Sequence, residues 1–155
     1  MDETIEARLA RMGVTLPPAA AAAANYRPYV RQDGILYVSG QLPITAAGIT
    51  CRGRLGDGVS VSEGRDAARI CAFNILAQAK AALDGDLERI RNVLKISGFV
   101  ASTPDFTEQH LVVNGASDFL AEALGERGGH ARAAVGTASL PLGVAVEIDA
   151  IIAVS

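Results

Sequence analysis

Val144-Ala145-Val146-Glu147-Ile148-Asp149-Ala150-Ile151-Ile152-Ala153-Val154 is the stretch on which the fold turns. Val144, Val146, Ile148, Ala150, Ile152 and Val154 fall at every second position, the period of a β-strand with one buried face. The opposite face carries Ala145, Glu147, Asp149, Ile151 and Ala153. That mixture is too apolar for a fully wetted face and too charged for a sealed core. A face of this kind suits contact with a second copy, so homo-oligomerisation is expected from the pattern alone.

Upstream, Leu140-Pro141-Leu142-Gly143 reads as a turn and Ala131–Val135 as a strand, approached through Gly128-Gly129. A helical region is expected from Pro104, a residue suited to a first turn, to Leu124, with Gly125 as its stop. Val93–Ala101 reads as a strand in which Leu94, Ile96 and Val100 alternate with Lys95, Ser97 and Phe99. The longest helix opens at Ser60-Val61-Ser62-Glu63, which fits a capping box. Ala68, Cys71, Ala72, Ile75, Leu76, Ala79, Ala82 and Leu83 then form one apolar stripe, and Gly85 follows as a stop signal. Tyr29–Gln32 and Ile35–Gly40 flank Asp33-Gly34, a strong hairpin signal. Residues 49–54 suggest another short strand, and Ile5, Leu9 and Met12 a short helix ended by Pro17-Pro18. The order β-β-(β)-α-β-α-β-β predicts an α+β fold with two helices on one face of a sheet.

The 155 residues suit one domain, and half of them are apolar, enough for a packed core. The net charge of −3 comes from 14 basic and 17 acidic residues, scattered along the chain. Binding to a phosphate backbone needs a concentrated positive footprint, so nucleic acid is set aside as a partner. Two cysteines, Cys51 and Cys71, do not make a disulfide framework, and Cys71 reads as a small core residue. The acidic start Met-Asp-Glu-Thr-Ile-Glu lacks a secretory pattern, and no stretch is long and apolar enough to span a bilayer. A cytoplasmic location without membrane attachment is the expectation.

Arg132 is a lone charge in an apolar strand. It is either an edge-strand arginine reaching solvent or a planar fork binding a carboxylate through two parallel hydrogen bonds. Glu147 is its natural companion: a hairpin centred near Leu140 would bring the two roughly opposite each other. They would then form a structural ion pair, or Glu147 would orient or deprotonate a water beside a bound substrate. His110 and His130 are too few for a metal site, and His130 is expected to face solvent. Gly53–Gly58 lacks the Lys-Ser/Thr of a phosphate-binding loop and reads as a plain loop. Ser39, in Ser-Gly-Gln, has no nucleophile context, but its hydroxyl can hydrogen-bond a ligand.

Several of these pieces stand in an order that resembles the RidA/YjgF family, also described as L-PSP endoribonuclease-like. They are Ile35-Leu36-Tyr37-Val38-Ser39-Gly40-Gln41-Leu42-Pro43, Asn114 before Gly115-Ala116-Ser117-Asp118, and Arg132 with Leu140-Pro141 and Val146–Ile151. The resemblance runs from about Tyr26 to Val154 and leaves residues 1–25 as an N-terminal extension of a single 1–155 domain. It implies a chorismate-mutase-like fold, a homotrimer, and ligand clefts between subunits. It also implies hydrolysis of reactive 2-imino or enamine acids to 2-keto acids and ammonia, with no cofactor and no metal. Arg132 then matches the residue that grips the substrate carboxylate, and Glu147 the acid beside the attacking water. Tyr26, Ser39 and Asn114 match residues lining the pocket, with Tyr29 a rival for the place of Tyr26. Noncatalytic binding of small carboxylic metabolites is the alternative, and ribonuclease or translation inhibitor comes third. The chain departs from the best-known deaminases in its extension, in Ala134 where they carry cysteine, and in His130 where they carry proline.

Overall fold

A computed structural model describes residues 2–155. Five strands form one sheet: β1 (Tyr29–Gln32), β2 (Ile35–Gln41), β3 (Ile90–Ala101), β4 (Ala131–Thr137) and β5 (Val146–Val154). Their order across the sheet is β1-β2-β5-β3-β4, with β3 and β4 parallel and the other pairs antiparallel. Helix α2 (Val61–Ala82) joins β2 to β3, and α3 (Gln109–Leu124) joins β3 to β4. Both crossovers step in the same direction across the sheet. Connections of one hand therefore place both helices on the same face, as the element order predicted.

The hairpin forms at Asp33-Gly34, where both residues take positive φ, and Tyr29 pairs with Val38. At the start of α2, Ser60 Oγ accepts from the Glu63 amide (3.1 Å) while the Glu63 carboxylate accepts from the Ser60 amide (3.2 Å). From Val146 onward the alternation is realised: Val146, Ile148, Ala150, Ile152 and Val154 are all buried beneath the helices. Val144 and Ala145 precede the strand, and Ala145, expected on the outer face, is fully buried with its amide donating to Cys51 O. Cys71 is fully buried beneath that strand, and both cysteines are free.

Three local expectations change. Helix α3 begins at Gln109, five residues after Pro104. The Phe106 amide donates to Thr103 O, and Thr103 Oγ1 donates to Asp105 (2.6 Å), closing a separate turn first. In β3, a bulge between Val93 and Lys95 breaks the alternation, burying Val93 and leaving Leu94 exposed. The short strand expected over 49–54 is instead divided between two small ladders, Ile44–Thr45 with Gly48–Ile49 and Arg54–Leu55 with Gly58–Val59.

The N-terminal residues fold against the rest of the chain. Helix α1 (Ile5–Arg11) buries Ile5 and Leu9, and the Ile5 amide donates to Glu88 Oε1 (2.6 Å). Further along, Ala20 O accepts from Gln78 Nε2 on α2 (2.7 Å). No helix among the described residues is long and apolar enough to cross a membrane.

The sheet face away from the helices is open. Val30, Tyr37 and Val135 are each nearly half exposed there, interleaved with Lys95, Asp149 and Ile151. Large apolar side chains left on a sheet face in this way mark a surface that associates.

Candidate functional site

Arg132 sits near the start of the edge strand β4, paired with Ile96 of β3 and turned toward α3. Its Nη1 donates to Ser117 Oγ (3.0 Å) and its Nη2 to His110 O (3.1 Å). Those partners lie seven residues apart on α3, and half-buried Asn114 lies between them at helical spacing on the same stripe. The Ser117 hydroxyl also meets His130 Nε2 at 2.8 Å, and His130 Nδ1 meets Gly128 O at 2.6 Å. His130 is thus bonded at both ring nitrogens and half-buried, contrary to the solvent-facing place expected of it. The reason is Gly128, which packs so closely on Leu120 and Ala121 of α3 that the following chain is held against the helix.

Glu147 belongs to a second group, at the other side of the molecule's sheet. It projects from the open face of β5 over Gly40, where β2 departs from regular pairing between Val38 and Gln41. A side chain at position 40 would collide with the Glu147 carboxylate, so glycine makes the room that glutamate occupies. Partial burial, and next the nearby Asp149 carboxylate, push the Glu147 pKa above its ordinary value. Ser39 Oγ donates to Arg27 O (2.7 Å) and keeps its lone pairs free. Tyr26 is half exposed and shares with Gly40, Gln41 and Leu142 the lining of a cavity of about 70 Å³. Tyr29, its rival in the sequence, packs against the hydrophobic core.

Two side chains that the sequence reading passed over hold this second group in place. Asn74 Nδ2 on α2 donates to Leu42 O (2.9 Å) and Ile44 O (3.0 Å), fixing the chain just after β2. Gln78, one turn on, donates to Ala20 O and more weakly to Gln41 Oε1 (3.4 Å). Gln41 in turn donates to Ser39 O (3.0 Å). Their signal was present: two amides four residues apart inside an apolar helical stripe have to find partners.

The hairpin that would join Arg132 to Glu147 does not form. Strand β5 enters the sheet between β2 and β3, so β3 separates it from β4. Arg132 is level with Ile96 and Glu147 with Phe99, three residues further along β3. The strands lie on the order of 10 Å apart, with a similar offset along the strand direction, and the two side chains leave opposite faces of the sheet. Neither forms an ion pair among the described residues, so the structural salt bridge is absent as well. No three His, Cys, Asp or Glu side chains among those residues gather in a way that would hold a metal ion.

Residues 6–150 match the family model described as "YjgF/chorismate mutase-like, putative endoribonuclease". The match begins inside the segment set apart as an extension. Protein TCP17 of Trypanosoma cruzi is 50% identical over 149 residues, covering 96% of this chain and 92% of TCP17. The crystal structure of Agrobacterium tumefaciens protein Atu1372, of unknown function, is 56% identical with a TM-score of 0.92, covering 97% of this chain and 92% of the other. RidA from the Antarctic bacterium Psychrobacter sp. PAMC 21119 is 29% identical with a TM-score of 0.61, covering 88% and 94% respectively.

Proposed function

Because the chain belongs to the YjgF/chorismate mutase-like family, we propose that it hydrolyses 2-imino acids to 2-keto acids and ammonia, in clefts completed between the subunits of a homotrimer. The observation that carries this reading is the segregation of two opposite charges, each lacking an ion-pair partner among the described residues, on different faces of one sheet. A 2-imino acid is itself zwitterionic when its nitrogen is protonated. Arg132 suits its carboxylate, and Glu147 suits its iminium end.

One protomer cannot present both groups to one small molecule, because β3 stands between them. The edge strand β4 of one copy, laid beside the β2–β5 side of the next, would bring Arg132 and Asn114 together with Tyr26, Ser39 and Glu147. The exposed apolar residues of the open sheet face supply the surface for that association.

The chemistry asks little of the protein. A protonated imine carbon is electrophilic, so holding the carboxylate and placing a water supplies most of what is needed. The water oxygen bonds to the imine carbon while its proton passes to the Glu147 carboxylate, giving a carbinolamine. The protonated Glu147 returns that proton to the amine, the C–N bond breaks with its electrons going to nitrogen, and the hydroxyl proton passes through the freed Glu147 carboxylate to the departing ammonia as the carbonyl forms. The sum is iminium acid plus water to keto acid plus ammonium. A carboxylate whose pKa is raised toward neutrality exchanges protons better than an ordinary one. A cytoplasmic setting, where imino acids arise from pyridoxal-phosphate enzymes, is part of the same proposal.

The test is keto-acid release from 2-iminobutanoate generated in place by a dehydratase, followed at limiting dehydratase with and without the protein. Acceleration that disappears in Arg132→Ala, with the trimer retained by light scattering, is the expected result. Tight binding of 2-oxobutanoate without any acceleration would replace the enzyme with a noncatalytic carboxylate-binding protein.

A further inference from the structure

We propose that Ser117 and His130 are positioning residues for Arg132: they lock its guanidinium onto α3 so that its remaining N–H groups meet a carboxylate in one orientation. This rests on the reading of Arg132 as the carboxylate grip.

With a neutral imidazole the hydrogen bonds run in one direction. Gly128 O only accepts, so the proton lies on His130 Nδ1. The neutral ring then offers Nε2 as an acceptor, and the Ser117 hydroxyl donates to it at 2.8 Å. With its hydrogen so directed, Ser117 Oγ turns a lone pair to Arg132 Nη1 at 3.0 Å. His110 O takes a second N–H, from Nη2. An arginine carries five N–H donors, so the Nε–H and one N–H on each terminal nitrogen are left over. That is enough for a bidentate carboxylate contact while the anchoring bonds persist.

The anchor is rigid at both ends. Gly128 has no space for a side chain against Leu120 and Ala121, so its carbonyl is fixed relative to α3. At the other end the guanidinium is bonded to Ser117 Oγ and His110 O of that same helix. A free arginine on an edge strand samples many rotamers and loses that freedom on binding. An arginine already held by a serine and a helix carbonyl loses less, which appears as tighter binding.

The test uses the full-length protein, with 2-oxobutanoate binding by titration calorimetry and 2-iminobutanoate hydrolysis measured side by side. Ser117→Ala is expected to weaken 2-oxobutanoate binding and raise KM by the same factor, roughly tenfold for the loss of one hydrogen bond to a charged group. Its kcat stays within about twofold, because Arg132 is still present to hold the carboxylate once substrate is bound. Ser117→Thr, which keeps the hydroxyl, restores the affinity. His130→Gln, whose side-chain carbonyl takes the place of Nε2, falls closer to the parent than His130→Leu. If Ser117→Ala and His130→Leu bind as the parent does while Arg132→Ala does not bind, the positioning role is wrong and the carboxylate grip stands. If the parent itself fails to bind 2-oxobutanoate, or Arg132→Ala binds it equally well, the grip and the positioning role fall together.

Discussion

Arg132 and Glu147 leave opposite faces of one sheet, with β3 lying between the strands that carry them. Each is half-buried with no counter-charge paired to it among the described residues, and the Glu147 pKa is raised by its burial and by Asp149. Two such groups in one small protein are costly unless something else neutralises them, as the zwitterionic ligand proposed to lie between subunits would.

A site shared between subunits can be rebuilt from two inactive proteins. Arg132→Ala and Glu147→Gln homotrimers are each expected to be inactive. Denatured, mixed in equal amounts and refolded together, they should recover activity, because some interfaces then combine an intact arginine with an intact glutamate. Random assortment makes about a quarter of the interfaces competent. Recovery well below that level would place both residues of each site in a single chain.

Gly40→Ala tests the room made for Glu147. The added methyl meets the flexible end of that side chain, so it displaces the carboxylate and leaves the backbone in place. Turnover is expected to fall by about tenfold or more, on the principle that small misplacements of a catalytic group are costly, while Tm moves by only a few degrees. A variant with unimpaired turnover would detach the carboxylate position from catalysis.

The pH profile carries the sign of the Glu147 shift. In the proposed mechanism Glu147 accepts the water proton and works ionised, so kcat/KM falls as pH drops through its pKa, and that limb lies above the ordinary glutamate value of 4.5. Asp149→Asn removes a neighbouring negative charge and is expected to move the limb to lower pH. The effect on stability has the opposite consequence for function. A folded-state pKa above the unfolded value means that the folded protein binds more protons in the window between them, so stability declines as pH rises through that window. Glu147→Gln removes this penalty: thermal melts should show it above the parent in Tm at neutral pH and level with it below about 4.5.

Gly115→Ala is expected to damage the scaffold and leave the chemistry of the site unaltered. Its Cβ would strike the Arg65 carbonyl on α2, a backbone atom that yields only if the two helices separate. The loss is about 1–3 kcal/mol, the usual range for overpacking, read from urea midpoints. Ligand affinity of the fraction that remains folded should change little, since the Arg132 contacts lie on other faces of α3.

What was legible in the sequence follows a local rule. Alternation along Val146–Val154, the Asp33-Gly34 turn, the Ser60 capping box and the stripe from Ala68 to Leu83 each depend on residues within a few positions of one another. Backbone geometry acts at that range, and the structure realises all four. The lone Arg132 and the charged positions on the outer face of β5 were visible as anomalies for the same reason.

The sequence by itself determined which segments become strands and helices and which of their faces are buried. Beyond the β1–β2 hairpin, tertiary structure alone decided which strands lie side by side. The turn at Leu140–Gly143 suggested a hairpin, but the parallel pairing of β3 with β4 had already placed β4 at the edge. The slot left between β2 and β3 takes an antiparallel strand whose buried face must meet both helices, and the alternation of β5 fills it. That placement moves Glu147 away from Arg132 and opens both sites at the surface. The seating of His130 on Ser117 was hidden likewise, because it depends on how closely Gly128 approaches α3. Periodicity reports one strand's own faces; pairing and approach are set by crossover handedness and packing over the whole chain.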